Sequence, residues 1–278
     1  MPGRVVVTAA QIRRYRAALR ARYRVGDRRA ALAFVNAVGF CYAFTAGPGG
    51  LPGLFDVLAT RSVDRMWEWA WRWKDELATA RRLYYGRVLR RKPTYISLEY
   101  LPHFYALSGN VGEPDDCLQA YREGRLSRLA ADVYAYLAER GPCDTWTLRR
   151  QFVGRGPGGA LHRALADLQA QFLISKVDER ADGSYSFVWD IFSRWLPQVP
   201  EAASRIAAAD AAAAVLRRYL QTVGAAPPAE VRALFGWSPR LLDDALARGE
   251  IAGEAEVDGQ PALAHPALLR WAARRRSR

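Results

Sequence analysis

The chain has 278 residues and a formal net charge of +13; half of the residues are apolar and a quarter are charged. That balance excludes a disordered chain, leaves material for one large domain or two to three small ones, and points to a polyanionic partner, most often nucleic acid. Only Lys74, Lys92 and Lys176 are lysines, so arginine carries nearly all of the positive charge, and a GC-rich coding bias is the alternative source of it.

In chain order, Thr8 caps a helix bearing Arg13, Arg14, Arg16, Arg20, Arg22 and Arg24. Ile12, Tyr15, Leu19 and Tyr23 at helical spacing give it one packing face and one cationic face. A second helix over 27–38 buries Leu32, Phe34 and Val35 and stops at Gly39. Residues 40–45 are an aromatic run, and 46–53 are too rich in glycine and proline to be regular. Residues 54–58 and 63–77 read as helices, the latter holding Trp67, Trp69, Trp71 and Trp73. Tryptophans at alternate helical positions point around much of the circumference, which predicts a helix wedged between neighbours on several sides, with base stacking as the sharper alternative. A basic helix is expected over 81–92, a short strand over 95–98, and a linker at 112–116 that carries Asp115 and Asp116.

The most ordered pattern follows. Ser127 caps a helix with Leu129, Val133, Tyr136 and Leu137 on one face, ended by Gly141-Pro142. A short helix then holds Trp146, Leu148 and Phe152, a glycine-rich turn covers 154–159, and Leu161, Leu165 and Leu168 define the inner face of a third helix. Strands over 173–178 and 185–189, joined by a turn at 181–184, form a hairpin. The last third repeats this order in shorter form: helices over 207–223, to Leu234 from Pro227-Pro228, and to Arg248 from Ser238-Pro239, then a strand over 251–257 with a turn at Asp258-Gly259, and a terminal basic tail. The expected fold is mainly α with small β-hairpin wings, an α+β chain of tandem winged-helix modules. Their boundaries are 1–112, 126–197 and 205–278, the last with the basic tail.

A winged helix lays its third helix on duplex DNA, so the candidate contacts lie around that helix. Arg149, Arg150, Arg155 and Arg163 are expected on phosphates, Gly158 and Gly159 offer amides at a helix start that suits a phosphate, and His162 and Gln169 are available on the helix itself, with Gln171 facing solvent. Other chemistry is thin. The histidines (His103, His162, His265) and the scattered cysteines (Cys41, Cys117, Cys143) have no metal-ligand spacing, and the two Gly-Pro-Gly-Gly loops lack the Lys-Ser/Thr of a phosphate-binding loop. Neither a signal peptide nor an apolar run of roughly 18 residues is present, so the expectation is a soluble cytoplasmic protein, at the nucleoid if DNA-bound, that uses no metal or cofactor.

Asp167-Leu168-Gln169, 172–177, 185–190 and 194–197 resemble the middle module of the AlkZ/YcaQ-like winged-helix family. That resemblance implies tandem winged helices around duplex DNA. It also brings the alternative of a monofunctional DNA glycosylase that excises bulky alkylated purines. The family's catalytic signature is a Gln, an apolar residue, then Asp or Gln, after a Gly-Phe near the end of an early helix. Here the matching context is Val38-Gly39-Phe40-Cys41-Tyr42-Ala43-Phe44, which puts Tyr42 and Phe44 at the two polar positions, and phenylalanine cannot activate water. Gln169-Ala170-Gln171 has the right letters in the wrong module. A glycosylase reading would use Tyr42 or an acid that the sequence does not place, such as Asp56, and a third reading is a winged-helix module that docks protein.

Overall fold

The computed structural model describes residues 5–152, 154, 159–180, 185–248 and 253–276. The chain packs as two units, Met1–Ala70 with Ala207–Arg278, and Trp71–Ile206.

In the first unit the helix Ala9–Arg20 starts at a reciprocal cap: the Thr8 hydroxyl accepts from the Gln11 amide while the Gln11 side chain accepts from the Thr8 amide at 2.8 Å. Arg16, expected on a free cationic face, is structural. Its guanidinium donates to the carbonyls of Val223 (2.8 Å) and Ala225 (3.3 Å). Asp27 caps Arg28–Val38 by accepting from the Ala30 amide, and Gly39 ends that helix at φ 78°, where side-chain-bearing residues are strained. The aromatic run becomes a strand, Phe40–Tyr42, and the segment behind it is an ordered loop with two tight 3-10 turns, Pro48–Gly50 and Leu54–Val57, the second standing where a helix was expected. Gly53 is obligatory there, because a Cβ would lie 2.1 Å from the Phe44 carbonyl oxygen.

Later in the same unit, Ala208–Val223, Pro228–Phe235 and Pro239–Leu246 precede a hairpin of Gly253–Val257 with Gln260–Ala264. The hairpin turns through Asp258 and Gly259, at φ 48° and 82°, the left-handed pair of a two-residue turn. In sheet order the strands are Val5–Val7, Gly253–Val257, Gln260–Ala264 and Ala225–Ala226, the first parallel to its neighbour. The opening valines therefore cover an edge of the last hairpin that would otherwise expose its backbone.

The tryptophan helix, Val63–Thr79, departs from the wedged arrangement expected of it. Trp73 is buried at 2% exposure, but Trp67 and Trp71, four residues apart and so on one face, stand 46% and 41% exposed. Residues 81–92 are not a basic helix. In the second unit Leu83–Gly86 pairs antiparallel with Thr94–Ser97, Leu83 opposite Ser97, and Arg90 and Arg91 turn between them at φ 52° and 57°. Both strands are buried throughout, and a continuously apolar strand has no alternation to announce it among flanking arginines. Helices Leu101–Ser108 and Asp115–Arg122 follow. Asp116, expected in a linker, is buried and accepts from the amides of Val111 (3.0 Å) and Gly112 (2.8 Å).

The rest of this unit has a winged-helix-like order. Ser127 caps Arg128–Arg140, Gly141 ends it at φ 84°, and Asp144 caps Thr145–Gln151 by accepting from the amides of Trp146 (2.9 Å) and Thr147 (3.0 Å). Ala160–Ala170 is the third helix, and Ile174–Arg180 pairs with Ser186–Ile191, with a bulge between Lys176 and Asp178. The short strand Cys143–Asp144 completes a sheet ordered Cys143–Asp144, Ser186–Ile191, Ile174–Arg180. Val133, Leu137, Leu148, Leu165, Leu168, Ile174 and Trp189 form the core beneath. Arg155, Gly158 and the turn at 181–184 lie outside the described residues.

Candidate nucleic-acid interface

The short helix Thr145–Gln151, the third helix and the outgoing strand of the hairpin enclose a cleft of about 620 Å³, lined also by residues of the tryptophan helix and of the 83–97 hairpin. Trp146, Arg149, His162, Arg163 and Gln169 all line it. The Arg149 guanidinium lies 5.0 Å from the Trp146 ring centre, and its Nη2 is 3.1 Å from His162 Nε2. Arginine has no acceptor, so His162 Nε2 accepts and the imidazole carries its proton on Nδ1. Arg150 is exposed but does not line the cleft, and donates instead to Thr147 Oγ1 at 3.1 Å. Gly159 precedes the third helix at φ 81°. Gln169, read from sequence as available to DNA, is 3% exposed and spends its amide nitrogen on the Leu165 carbonyl of its own helix (3.1 Å). Gln171, read as solvent-facing, is half-buried and bonded to Arg125 through both ends of its amide.

The floor and far wall were invisible in the sequence. Trp71, Tyr85, Tyr185, Phe187 and Trp189 supply aromatic surface, and Arg87 and Arg91 add cations from the hairpin misread as a helix. Arg91 pairs with Asp167 at 2.8 Å. Behind this wall two of the chain's three lysines are buried side by side. Lys74 Nζ lies 4.1 Å from the Trp71 ring centre and 4.5 Å from that of Phe187, and donates to Tyr185 Oη at 2.9 Å. Asp75 binds both ammonium groups through Oδ1, each at 2.5 Å, and accepts from the Tyr185 hydroxyl through Oδ2 at 2.7 Å, while Lys176 also holds Glu179 at 2.5 Å. Two buried cations thus meet one buried carboxylate and one partly exposed one.

Burial, the strongest influence, pulls the Lys74 ammonium down to about 8, against the opposing pull of Asp75. Burial also pushes Asp75 upward, but hydrogen bonds from Lys176, Lys74 and Tyr185 outweigh it and hold that carboxyl below its ordinary value. Burial and the Asp75 charge together push the Tyr185 phenol far above its usual range. One signal for this cluster was in the sequence: where 38 of 41 basic residues are arginine (41 less three lysines), a lysine marks a place that needs a compact ammonium rather than a planar five-donor fork.

In the first unit Tyr42 is 2% exposed and its hydroxyl donates to the Pro48 carbonyl at 3.1 Å. A Cβ at Gly47 would lie 2.5 Å from the Tyr42 ring, so the loop is folded onto it. Phe44 is half-buried between Phe55 (6.0 Å) and Trp67 (5.3 Å). Asp56 caps a turn by accepting from the Gly53 amide at 3.0 Å and stands 3.8 Å from Arg20. Among the described residues no group of three His, Cys, Asp or Glu could hold a metal, and no helix is long and apolar enough to cross a membrane.

Residues 26–236 match the sequence profile of the AlkZ-related family. The chain belongs to that family. No curated protein sequence matches it. Its fold is similar to that of Streptomyces sahachiroi DNA glycosylase AlkZ, with a TM-score of 0.62 at 14% identity over 97% of this chain and 72% of that one. In this AlkZ-related protein Tyr42 is a buried phenol committed to a carbonyl and Phe44 a packed benzene ring.

Proposed function

We propose that this AlkZ-related protein binds duplex DNA through winged-helix modules spanning 1–112, 126–197 and 205–278, and recognises damaged or distorted duplex without excising the base. The observation that carries this reading is the cleft at the third helix, where Arg149, Arg163, Arg87 and Arg91 stand over aromatic walls in a chain of net charge +13. Phosphates meet Arg149, Arg150 and Arg163, with His162 beside them; the sequence adds Arg155 and the Gly158-Gly159 amides as candidate contacts, of which Arg155 and Gly158 lie outside the described residues. The protein works in the cytoplasm, at the nucleoid when bound.

Similarity of fold to a DNA glycosylase over 97% of the chain favours a second reading, excision of bulky alkylpurines. The side chains at the signature positions count against it, because neither a neutral phenol of pKa about 10 nor a phenyl ring holds and deprotonates water at neutral pH. The test is duplex affinity as a function of salt. Log affinity should fall linearly with log salt, and Arg149→Ala with Arg163→Ala should flatten the slope by about two units. An affinity that does not change between low and physiological salt refutes the reading.

A further inference from the structure

The cleft has more aromatic surface than phosphate contacts require. Trp71, Trp146 and Tyr185 are each more than 40% exposed along it, although large rings at isolated surface positions are ordinarily covered. A volume of about 620 Å³ falls in the middle of the range for small-molecule sites.

The electrostatics choose among ligands. Lys74 already occupies one side of the Trp71 and Phe187 rings, and Arg87, Arg91, Arg149 and Arg163 line the cleft. A cationic ligand, the usual guest of an aromatic cage, is repelled here, and a planar ring with an anionic substituent is favoured. A third observation comes from the wall itself. Ser186 lines the cleft, is 5% exposed, and its hydroxyl has no hydrogen-bond partner. A buried hydroxyl left unpaired is a standing cost that the polar edge of a ligand removes. Asp167 lines the same cleft, with its Oδ1 paired to Arg91 Nη2 at 2.8 Å.

We propose that this cleft binds a planar heteroaromatic ring bearing an anionic group, the chemistry of a nucleobase with its phosphate, supplied by an unpaired nucleotide in a DNA strand or by a free nucleotide. The ring lies on Trp146 and Trp71, its polar edge meets Ser186 and Asp167, and its phosphate meets the arginines. This deepens the DNA-binding reading of the same face and rests on it.

The experiment uses the full chain and three probes: deoxyadenosine 5′-monophosphate, inorganic phosphate, and a pair of duplexes that differ only by one unpaired adenine. Nucleotide should quench tryptophan emission and inorganic phosphate should not. The bulged duplex should bind about fivefold or more tightly than the matched one, the lower end of what a base–aromatic stack contributes. Trp146→Ala should bring that ratio to about one. Ser186→Ala should lower it without lowering Tm, because the substitution removes an unsatisfied group rather than a contact. Quenching by nucleotide with no preference for the bulge assigns the site to free nucleotides. Equal binding of both duplexes with no quenching overturns the proposal and leaves duplex binding standing, whereas binding to neither duplex at low salt removes both.

Discussion

Stability of this protein should respond to pH in a way that isolates one buried group. Lys74 is fully buried and its pKa is about 8, against an ordinary 10.5 in the unfolded chain. Between these values the unfolded chain binds more protons than the folded one, so the free energy of unfolding rises with pH. Below about 8 both states carry the charge and the burial penalty acts in full; above about 10.5 both are neutral and it is gone. Between pH 7 and 9 the contribution is about 1.3 kcal/mol, at 1.36 kcal/mol for each pH unit beyond the folded value. Cys41, Cys117 and Cys143, all raised by burial, act in the opposite direction as pH approaches 9. They act equally on a variant, however, so the quantity to measure is the difference between wild type and Lys74→Met in urea unfolding at pH 7, 8 and 9. Wild type should gain on the variant by about 1.3 kcal/mol across the series. A wild-type-minus-variant difference that stays flat, or becomes less favourable to wild type as pH rises, refutes a destabilised ammonium at this position.

Tyr42→Phe removes the hydrogen bond to the Pro48 carbonyl and should cost about 1 kcal/mol of stability with duplex affinity unchanged; an affinity loss without a Tm change would put Tyr42 at the DNA. Gly53→Ala drives a methyl to 2.1 Å from the Phe44 carbonyl oxygen and should cost about 2 kcal/mol or more, as overpacking against backbone does, seen as a lower Tm. Asp75→Ala leaves Lys74 and Lys176 facing each other without the shared carboxylate and should cost about 3 kcal/mol or more; the same substitution with no thermal effect would mean the buried pair is not held by that carboxylate.

Much of the fold was legible because its signals are local. Thr8, Asp27 and Ser127 bond to amides two or three residues into the helices they precede, and Gly39 and Gly141 end helices at positive φ; both kinds of mark are written within one turn of chain. The hairpin of Ile174–Arg180 with Ser186–Ile191 announced itself by the β-branched and aromatic residues of its strands. What escaped was non-local or masked. Val5–Val7 becomes a strand only because Gly253–Val257, some 250 residues on, offers it an edge. Leu83–Gly86 is apolar on both faces and bracketed by arginines, so charge count suggested a basic helix where burial dictates a strand. In the site, Arg149, His162 and Arg163, candidate contacts on sequence grounds, line the cleft, whereas Gln169 lines it buried, with its amide nitrogen bonded within its own helix. The Lys74–Asp75–Tyr185–Lys176 network joins residues about a hundred positions apart, and only the scarcity of lysine hinted at it.

Under the proposed function this protein grips distorted duplex without cutting the glycosidic bond. The most direct test is to incubate the protein with duplex carrying one bulky alkylpurine and to score abasic sites in the same samples in which binding is measured. A salt-sensitive complex and no abasic sites above background are expected, with Asp56→Asn indistinguishable from wild type in both readouts. Robust excision by the unaltered protein, lost in Asp56→Asn, would contradict the proposed function and make the chain a glycosylase.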